Sequence, residues 1–229
     1  MLSAHQRADL QRRGFVLLKA NCPDLELLRI AKDLGPPVPS TPGAPVISEL
    51  RPRQPLTQKT QTFSSLYGLA SFPFHTDTAH WPVPARFVIL RDIGESHDRP
   101  TLLLPMEKFA LACTPQDMTA AIWKVKGPFG TFYCSIIEFA NTIRRIRYDP
   151  ICMRAGNDPA IRVNEALSTK QRKPIRVDWE PSLALIIDNW RILHGRGRSL
   201  RDDSRSRCLQ RVLIFDNEQL PLFPYVLAA

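Results

Sequence analysis

The stretch SFPFHTDTAHWPVPARFVILRD, residues 71–92, places His75, Asp77 and His80 just ahead of an apolar run that reads as a buried strand. In an extended segment residues i and i+2 project from one face, so the His75 imidazole and the Asp77 carboxylate can reach a single ion. The same H-x-D pair is equally at home as a hydrogen-bonded histidine and aspartate at a strand end. Taken alone, it leaves both roles open, and a distant residue has to decide between them.

IIDNWRILHGRGRS, residues 186–199, supplies one: an apolar strand delivers His194 at its end, followed at once by small and basic residues. A strand pair in a jelly roll can bring His75, Asp77 and His194 to one face of a metal. That is the 2-His-1-carboxylate arrangement of non-haem Fe(II) centres, which leaves coordination positions open. Further on, SRSRCLQRVLIF (204–215) sets Arg207 and Arg211 four residues apart in or beside a strand. Positions i and i+4 share a strand face, so both guanidinium groups can point into one barrel mouth, where their planar forks suit carboxylates. The alternative is a pair of solvated charges in a basic stretch.

A chain of 229 residues has room for one substantial core, and all-β sandwiches of this length form single domains, so residues 1–229 are expected to make one domain. With 44% hydrophobic and 23% charged residues it is not a disordered chain. The N-terminal MLSAHQRADLQRRGF has no apolar core of a leader, and no apolar run is long enough to span a bilayer. A soluble, cytoplasmic protein without a membrane partner is expected. Five scattered cysteines without CxxC spacing read as reduced thiols rather than a disulfide frame or zinc site. The formal charge of +9 suits a nucleic acid or acidic partner, yet net charge bears on solubility and steering before it bears on function.

Ser3 and Gly14 bracket an amphipathic helix over residues 4–13, and FVLLKA follows as a strand. Pro23 and Gly35 bracket a second helix, with Leu25, Leu27, Leu28, Ile30, Ala31 and Leu34 as its apolar face. Residues 35–62, rich in Pro, Ser, Thr and Gln, read as a lid or mobile loop in which only PVISEL is strand-like. Beyond it, ARFVILRDI, TLLLPM, GTFYCSIIEF, RRIRYD, KPIRVDW, LALIIDN and CLQRVLIFD read as strands, interrupted by helical segments around TPQDMTAAIWK and NDPAIRVNEAL. The fold class is therefore mainly β with an α buttress, a closed or double-sheet architecture.

The pieces DLGPPVPS, FPFHTDTAHWPVPARFVILRDIG, IRYDPICM, IIDNWRILHGR and RCLQRV run in one order over most of the chain. In that order they resemble the Fe(II)- and 2-oxoglutarate-dependent oxygenases of the taurine dioxygenase superfamily, with its clavaminate synthase-like and γ-butyrobetaine hydroxylase-like branches. The resemblance implies a double-stranded β-helix (jelly roll) of clavaminate synthase-like type. It implies His75, Asp77 and His194 as iron ligands and Thr101 and Arg207 as the groups that hold 2-oxoglutarate. Arg211 is then the group that meets an acidic part of the substrate. Arg205 competes with Arg207, because the register of the basic stretch can slip by two. His80 falls where the family varies and is not assigned to the metal; His5 and His97 read as surface residues. Of the tryptophans, read mainly as core or pocket wall, Trp190 is singled out for its place between Asn189 and His194. The turn before the His194 strand lacks the glycine of many relatives; Pro181 and Ser182 serve instead.

With Fe(II), 2-oxoglutarate and O2 as cofactor and cosubstrates, the implied activity is a dioxygenase reaction. It hydroxylates an unactivated C–H of a small carboxylate- or sulfonate-bearing substrate such as an amino acid and yields succinate and CO2. A carboxylate at Asp77 argues for hydroxylation, desaturation or ring closure over halogenation. Arg144, Arg145 and Arg147 are expected on a solvated edge strand, with the last two on one face. Two other readings remain at this point: the same chemistry on a nucleic acid or protein, and a non-catalytic binding protein on an oxygenase scaffold.

Overall fold

Caps in the N-terminal segment set how the chain enters its main sheet. Helix α1 (Ala4–Arg13) starts at Ser3, whose Oγ accepts the Gln6 N–H while the Gln6 side chain accepts the Ser3 N–H. It stops at Gly14, which takes φ 76° and donates its N–H to Leu10. A Cβ there would lie 2.9 Å from Ile192 Cγ1, so both backbone conformation and space call for glycine. The computed structural model describes residues 1–20, 23–51, 63–94, 98–110, 113–127, 130–140, 143–168, 173–199 and 207–217.

After α1 come β1 (Phe15–Lys19), α2 (Asp24–Leu34), β2 (Pro37–Val38), β3 (Ile47–Leu50), α3 (Phe63–Tyr67), β4 (Phe87–Asp92) and β5 (Thr101–Pro105). The middle of the chain forms α4 (Met106–Ala110), α5 (Pro115–Ala120), β6 (Ile122–Gly127), β7 (Gly130–Ser135), β8 (Ile137–Ala140), β9 (Ile143–Ile146), β10 (Met153–Ala155) and α6 (Asp158–Ser168). The last described strands are β11 (Ile175–Val177), β12 (Leu183–Asp188), β13 (Ile192–Arg196) and β14 (Leu209–Ile214). The major sheet has the order β1-β12-β4-β14-β2, with β3 also on β14; the minor sheet is β11-β5-β13; and β10-β6-β7 and β8-β9 form two smaller units. Every pairing among them is antiparallel.

The unbroken apolar run of β4 has a direct cause: both faces are covered. Phe87 and Ile89 pack with Leu10, Leu27 and Ile30 of the helices, and Val88 and Leu90 pack inward against Leu103, Trp190 and Ile192. The α buttress thus seals the outside of the major sheet, and the core lies between the two sheets. Along β13, Ile192 faces that interior and Leu193 faces the outer cluster with Trp123 and Tyr148. Alternation then turns His194 to the interior face.

Several sequence expectations shift. LALIIDN and RILHGR are two strands in two sheets, joined by a tight turn in which the Arg191 N–H donates to Asp188 O at 2.9 Å. His194 therefore lies within a strand of its own rather than at the end of the preceding one. Helix α5 ends at Ala120, and IWK starts β6, because Trp123 and Val125 are buried while Lys124 and Lys126 face outward with the two-residue period of a strand. GTFYCSIIEF breaks at Ile136 into β7 and β8. On α2, Leu27, Ile30 and Ala31 are buried and Leu34 packs against their cluster, whereas Leu25 is 73% exposed. Pro37 and Val38 form a short strand the composition concealed, and β3 coincides with the strand-like PVISEL. Cys113, Cys134, Cys152 and Cys208 form no disulfide among the described residues; Cys22 and His97 lie outside them. Among the described residues no helix is long and apolar enough to cross a membrane.

Candidate metal centre and its cleft

His75 and His194 are direct cross-strand partners. The N–H of each donates to the carbonyl of the other, at 2.9 and 3.0 Å, outside the longer ladders. A hydrogen-bonded antiparallel pair projects both side chains to one face, and the two rings sit with centroids 4.5 Å apart. Asp77, two residues on, shares that face. Its Oδ1 lies 3.7 Å from His75 Nε2, its Oδ2 lies 3.8 Å from His194 Nε2, and the three ligand atoms fall within 4.8 Å of one another. Ligand atoms at right angles on a small octahedral cation, each roughly 2.1 Å away, are about 3 Å apart, so closing the site on an ion takes side-chain shifts of about 1 Å.

The donor chemistry fits a divalent cation. His75 Nδ1 lies 3.0 Å from Pro73 O, which holds the ring proton there and leaves the Nε2 lone pair for the site. Burial, reinforced by the charge of His75, pushes His194 down to about 3, so that ring is neutral at ordinary pH. Burial acts to raise Asp77, but the charge of Arg211, the hydrogen bond to His75 and both imidazoles outweigh it and hold the carboxyl well below the usual carboxylate range. His75 is raised: burial works against its charged form, and Asp77 overcomes that.

Asp77 opens a turn, and Thr78 within that turn takes φ 58°. A β-branched residue in the left-handed region costs about 1–2 kcal/mol. Fixed bonds offset it: the Asp77 N–H donates to Asn189 Oδ1 at 2.9 Å, and Asn189 Nδ2 donates to Asp77 O at 3.0 Å and Ala85 O at 2.8 Å. The Thr78 hydroxyl contacts Asp77 O at 2.6 Å and accepts the Ala85 N–H at 2.8 Å.

The three ligand atoms face a cleft of about 1240 Å³ whose wall includes Thr78, His80, Thr101, Lys126, Asp149, Arg154, Arg196, Arg207 and Arg211. Arg207 is buried, and its Nε has no hydrogen-bond partner among the described residues. Burial, with repulsion from Arg99, lowers it to about 10, so it remains a cation at neutral pH. Thr101 Oγ accepts the Trp179 Nε1–H at 3.1 Å, which turns its own proton toward other acceptors. Arg211 Nη1 lies 3.3 Å from both Asp77 oxygens, so this guanidinium stands beside the proposed ligand itself. Arg205 lies outside the described residues.

Sequence reasoning passed over Arg196 and Arg99. Arg196 faces Thr101 across β13 and β5, stacks on Phe72 at 3.6 Å and donates from Nε to Ala70 O at 3.1 Å. Burial lowers it to about 9, with Arg99 and Arg207 adding repulsion. Its signal was the basic residue two after His194, which strand alternation keeps on the ligand's face. Asn189 was passed over as well: Trp190, the residue singled out, is fully buried with its Nε1–H on Pro84 O at 3.0 Å. The solvated edge strand foreseen for the arginine run ends at Ile146. Arg147 is 1% exposed and binds Glu138 and the carbonyls of Ala79, Trp81 and Pro82, because the chain turns inward after β9 to reach the cleft at Asp149. Arg145 pairs with Glu138 at 2.6 Å, and Arg144 is exposed. His80 lines the cleft outside the triad, lowered by burial.

No protein-family model matches the chain, and no curated protein is significantly similar to it. Solved structures are similar in fold. An asparagine oxygenase in complex with Fe(II), (2S,3S)-3-hydroxyasparagine and succinate superposes with a TM-score of 0.73 and 16% identity, over 93% of this chain and 77% of that one. The non-haem iron oxygenase OrfP in complex with Fe, succinate and (3S)-hydroxy-L-arginine gives 0.70 and 16%, over 92% and 78%. PvcB from Pseudomonas aeruginosa gives 0.66 and 16%, over 93% and 79%. The architecture is the double-stranded β-helix of these solved structures.

Proposed function

We propose that this chain is an Fe(II)- and 2-oxoglutarate-dependent dioxygenase that hydroxylates a small carboxylate- or sulfonate-bearing substrate, an amino acid foremost. The observation that carries the reading is the pairing of His75 with His194 across two strands, with Asp77 beside them, all facing a cleft that also holds the buried Arg207, whose Nε has no hydrogen-bond partner among the described residues. When bound, iron and 2-oxoglutarate supply the oxidising power: O2 gives one oxygen atom to succinate and one to a substrate C–H, and CO2 leaves.

The protein's part is placement. His75, Asp77 and His194 hold the metal from one face and leave the cleft side open. Arg207 receives the distal carboxylate of 2-oxoglutarate as a buried ion pair, and the Thr101 hydroxyl donates to it while Trp179 occupies one of its lone pairs. Arg211 draws an acidic group of the substrate next to the metal. Asp149, buried in the cleft wall and close enough to influence His75 and His80, suits the ammonium of an amino acid. Such two-point anchoring fixes one C–H against the reacting centre.

In this reading residues 1–229 act as one domain, and the described part of the segment 35–62 borders the cleft. Ser40, Thr41, Ser48, Glu49, Leu50 and Arg51 already line it, and residues 52–62 lie outside the described residues. Four cysteines without a disulfide among the described residues suit a reducing, cytoplasmic setting. A second reading keeps the chemistry but takes a larger anionic target. It is favoured by Lys124 and Arg154, paired on the exposed side of β6 and β10, with Lys126 beside them at the cleft edge. Salt-sensitive binding of oligonucleotides would support it.

The test is an anaerobic titration of the apoprotein with Fe(II) and 2-oxoglutarate. The expected result is a weak visible charge-transfer band that is absent from His194→Ala. A folded wild-type protein without the band would refute the reading and leave a binding protein on this scaffold.

A further inference from the structure

We infer that Asn189, together with Thr78, is a positioning residue for Asp77 and sets the metal affinity of the site without touching the ion. The inference rests on the iron site proposed above. His75 needs no such help, because its backbone is paired with His194 in both directions. Asp77 lies just beyond that bridge, where its chain leaves the strand for a turn. Its N–H and C=O have no strand neighbour, and the Asn189 carboxamide takes that place by offering an acceptor to the N–H and a donor to the carbonyl.

The amide can face only one way. Its oxygen meets an N–H and its nitrogen meets the carbonyls of Asp77 and Ala85, so a flipped amide would set like against like at all three contacts. Asn189 is 0% exposed, so water does not compete for these bonds. Thr78 closes the loop, its hydroxyl joining Asp77 O to the Ala85 N–H. Two residues later than a paired strand position, Asp77 is therefore held as firmly as one. The clamp also precedes β13 directly, so the segment that fixes the backbone of Asp77 carries His194 as well. Spacing between these two ligands is preset before a cation arrives.

The experiment measures Mn(II), a redox-stable probe, by the loss of its free paramagnetic resonance signal, alongside thermal unfolding of each apoprotein. Asn189→Ala is compared with Trp190→Phe, which removes a buried hydrogen bond from the same turn without touching Asp77. Both are expected to lower Tm, but only Asn189→Ala should weaken Mn(II) binding, by about 10- to 100-fold. Thr78→Val should weaken it too, while Thr78→Ser, which keeps the hydroxyl, should bind as wild type. The inference is overturned if Asn189→Ala binds Mn(II) as tightly as Trp190→Phe. If Asn189→Ala does not fold, the Thr78 pair decides, and equal affinities there overturn the inference. Wild-type protein that fails to bind Mn(II) removes the proposed iron site and this inference with it.

Discussion

Arg207→Met separates what the cleft costs the fold from what it does for a ligand. The residue is 6% exposed, and its Nε has no partner among the described residues. Burial lowers its pKa from 12.5 to about 10, which at about 1.4 kcal/mol per pH unit makes the charge cost folding on the order of 3 kcal/mol. Because the folded value lies below the unfolded one, that cost is complete at any pH below the folded value and fades only as pH rises toward the unfolded one. Methionine fills similar volume without charge, and lost packing takes back roughly 1 kcal/mol. The variant apoprotein should gain about 1–2 kcal/mol, or roughly 2–8 °C in Tm for a chain of this size. A ligand at a hundred times its Kd adds about 2.7 kcal/mol to the wild type. In the presence of Mn(II), 2-oxoglutarate should therefore raise the wild-type Tm and leave that of Arg207→Met unchanged. Thermal unfolding with and without both ligands reads all of this. A variant that is less stable as apoprotein, yet still stabilised by 2-oxoglutarate, would refute both the cost and the role assigned to Arg207.

Two further outcomes follow from the same geometry. Arg211→Ala should raise the substrate concentration needed for succinate release while sparing 2-oxoglutarate binding; equal loss of both would show that the two arginines do not divide their roles as proposed. Burial raises Asp188 to about 6 despite Arg86 and Arg191 nearby. Its folded value lies above the unfolded one, so ionisation penalises the fold as pH rises through that window. Asp188→Asn, whose oxygen can still accept the Trp190 N–H, should then be more stable than wild type at pH 8 by up to about 3 kcal/mol and nearly equal to it at low pH. Urea unfolding at both pH values checks this, and parallel pH profiles would count against it.

Local chemistry carried much of the architecture. Ser3 and Gly14 delimit α1 through bonds within a few residues of themselves, and the apolar runs of β4 and β12 mark strands buried on both faces. The i, i+2 spacing of His75 and Asp77, the apolar strand before His194 and the Arg207–Arg211 interval were likewise legible, because strand alternation is a property of the backbone alone. Other features depend on residues far apart in the chain. Nothing near Asn189 in sequence shows that its amide would replace a strand neighbour for Asp77, 112 residues away. Nothing near Arg147 foretells that Glu138 and three carbonyls would bury it. The break between β12 and β13 was hidden for the same reason: an apolar run can continue one strand or cross to another sheet, and only a tight turn packed between two layers distinguishes them. Residue types and spacing determined which side chains could share a face; the meeting of the two sheets decided which faces met, because that depends on long-range packing that no local pattern encodes.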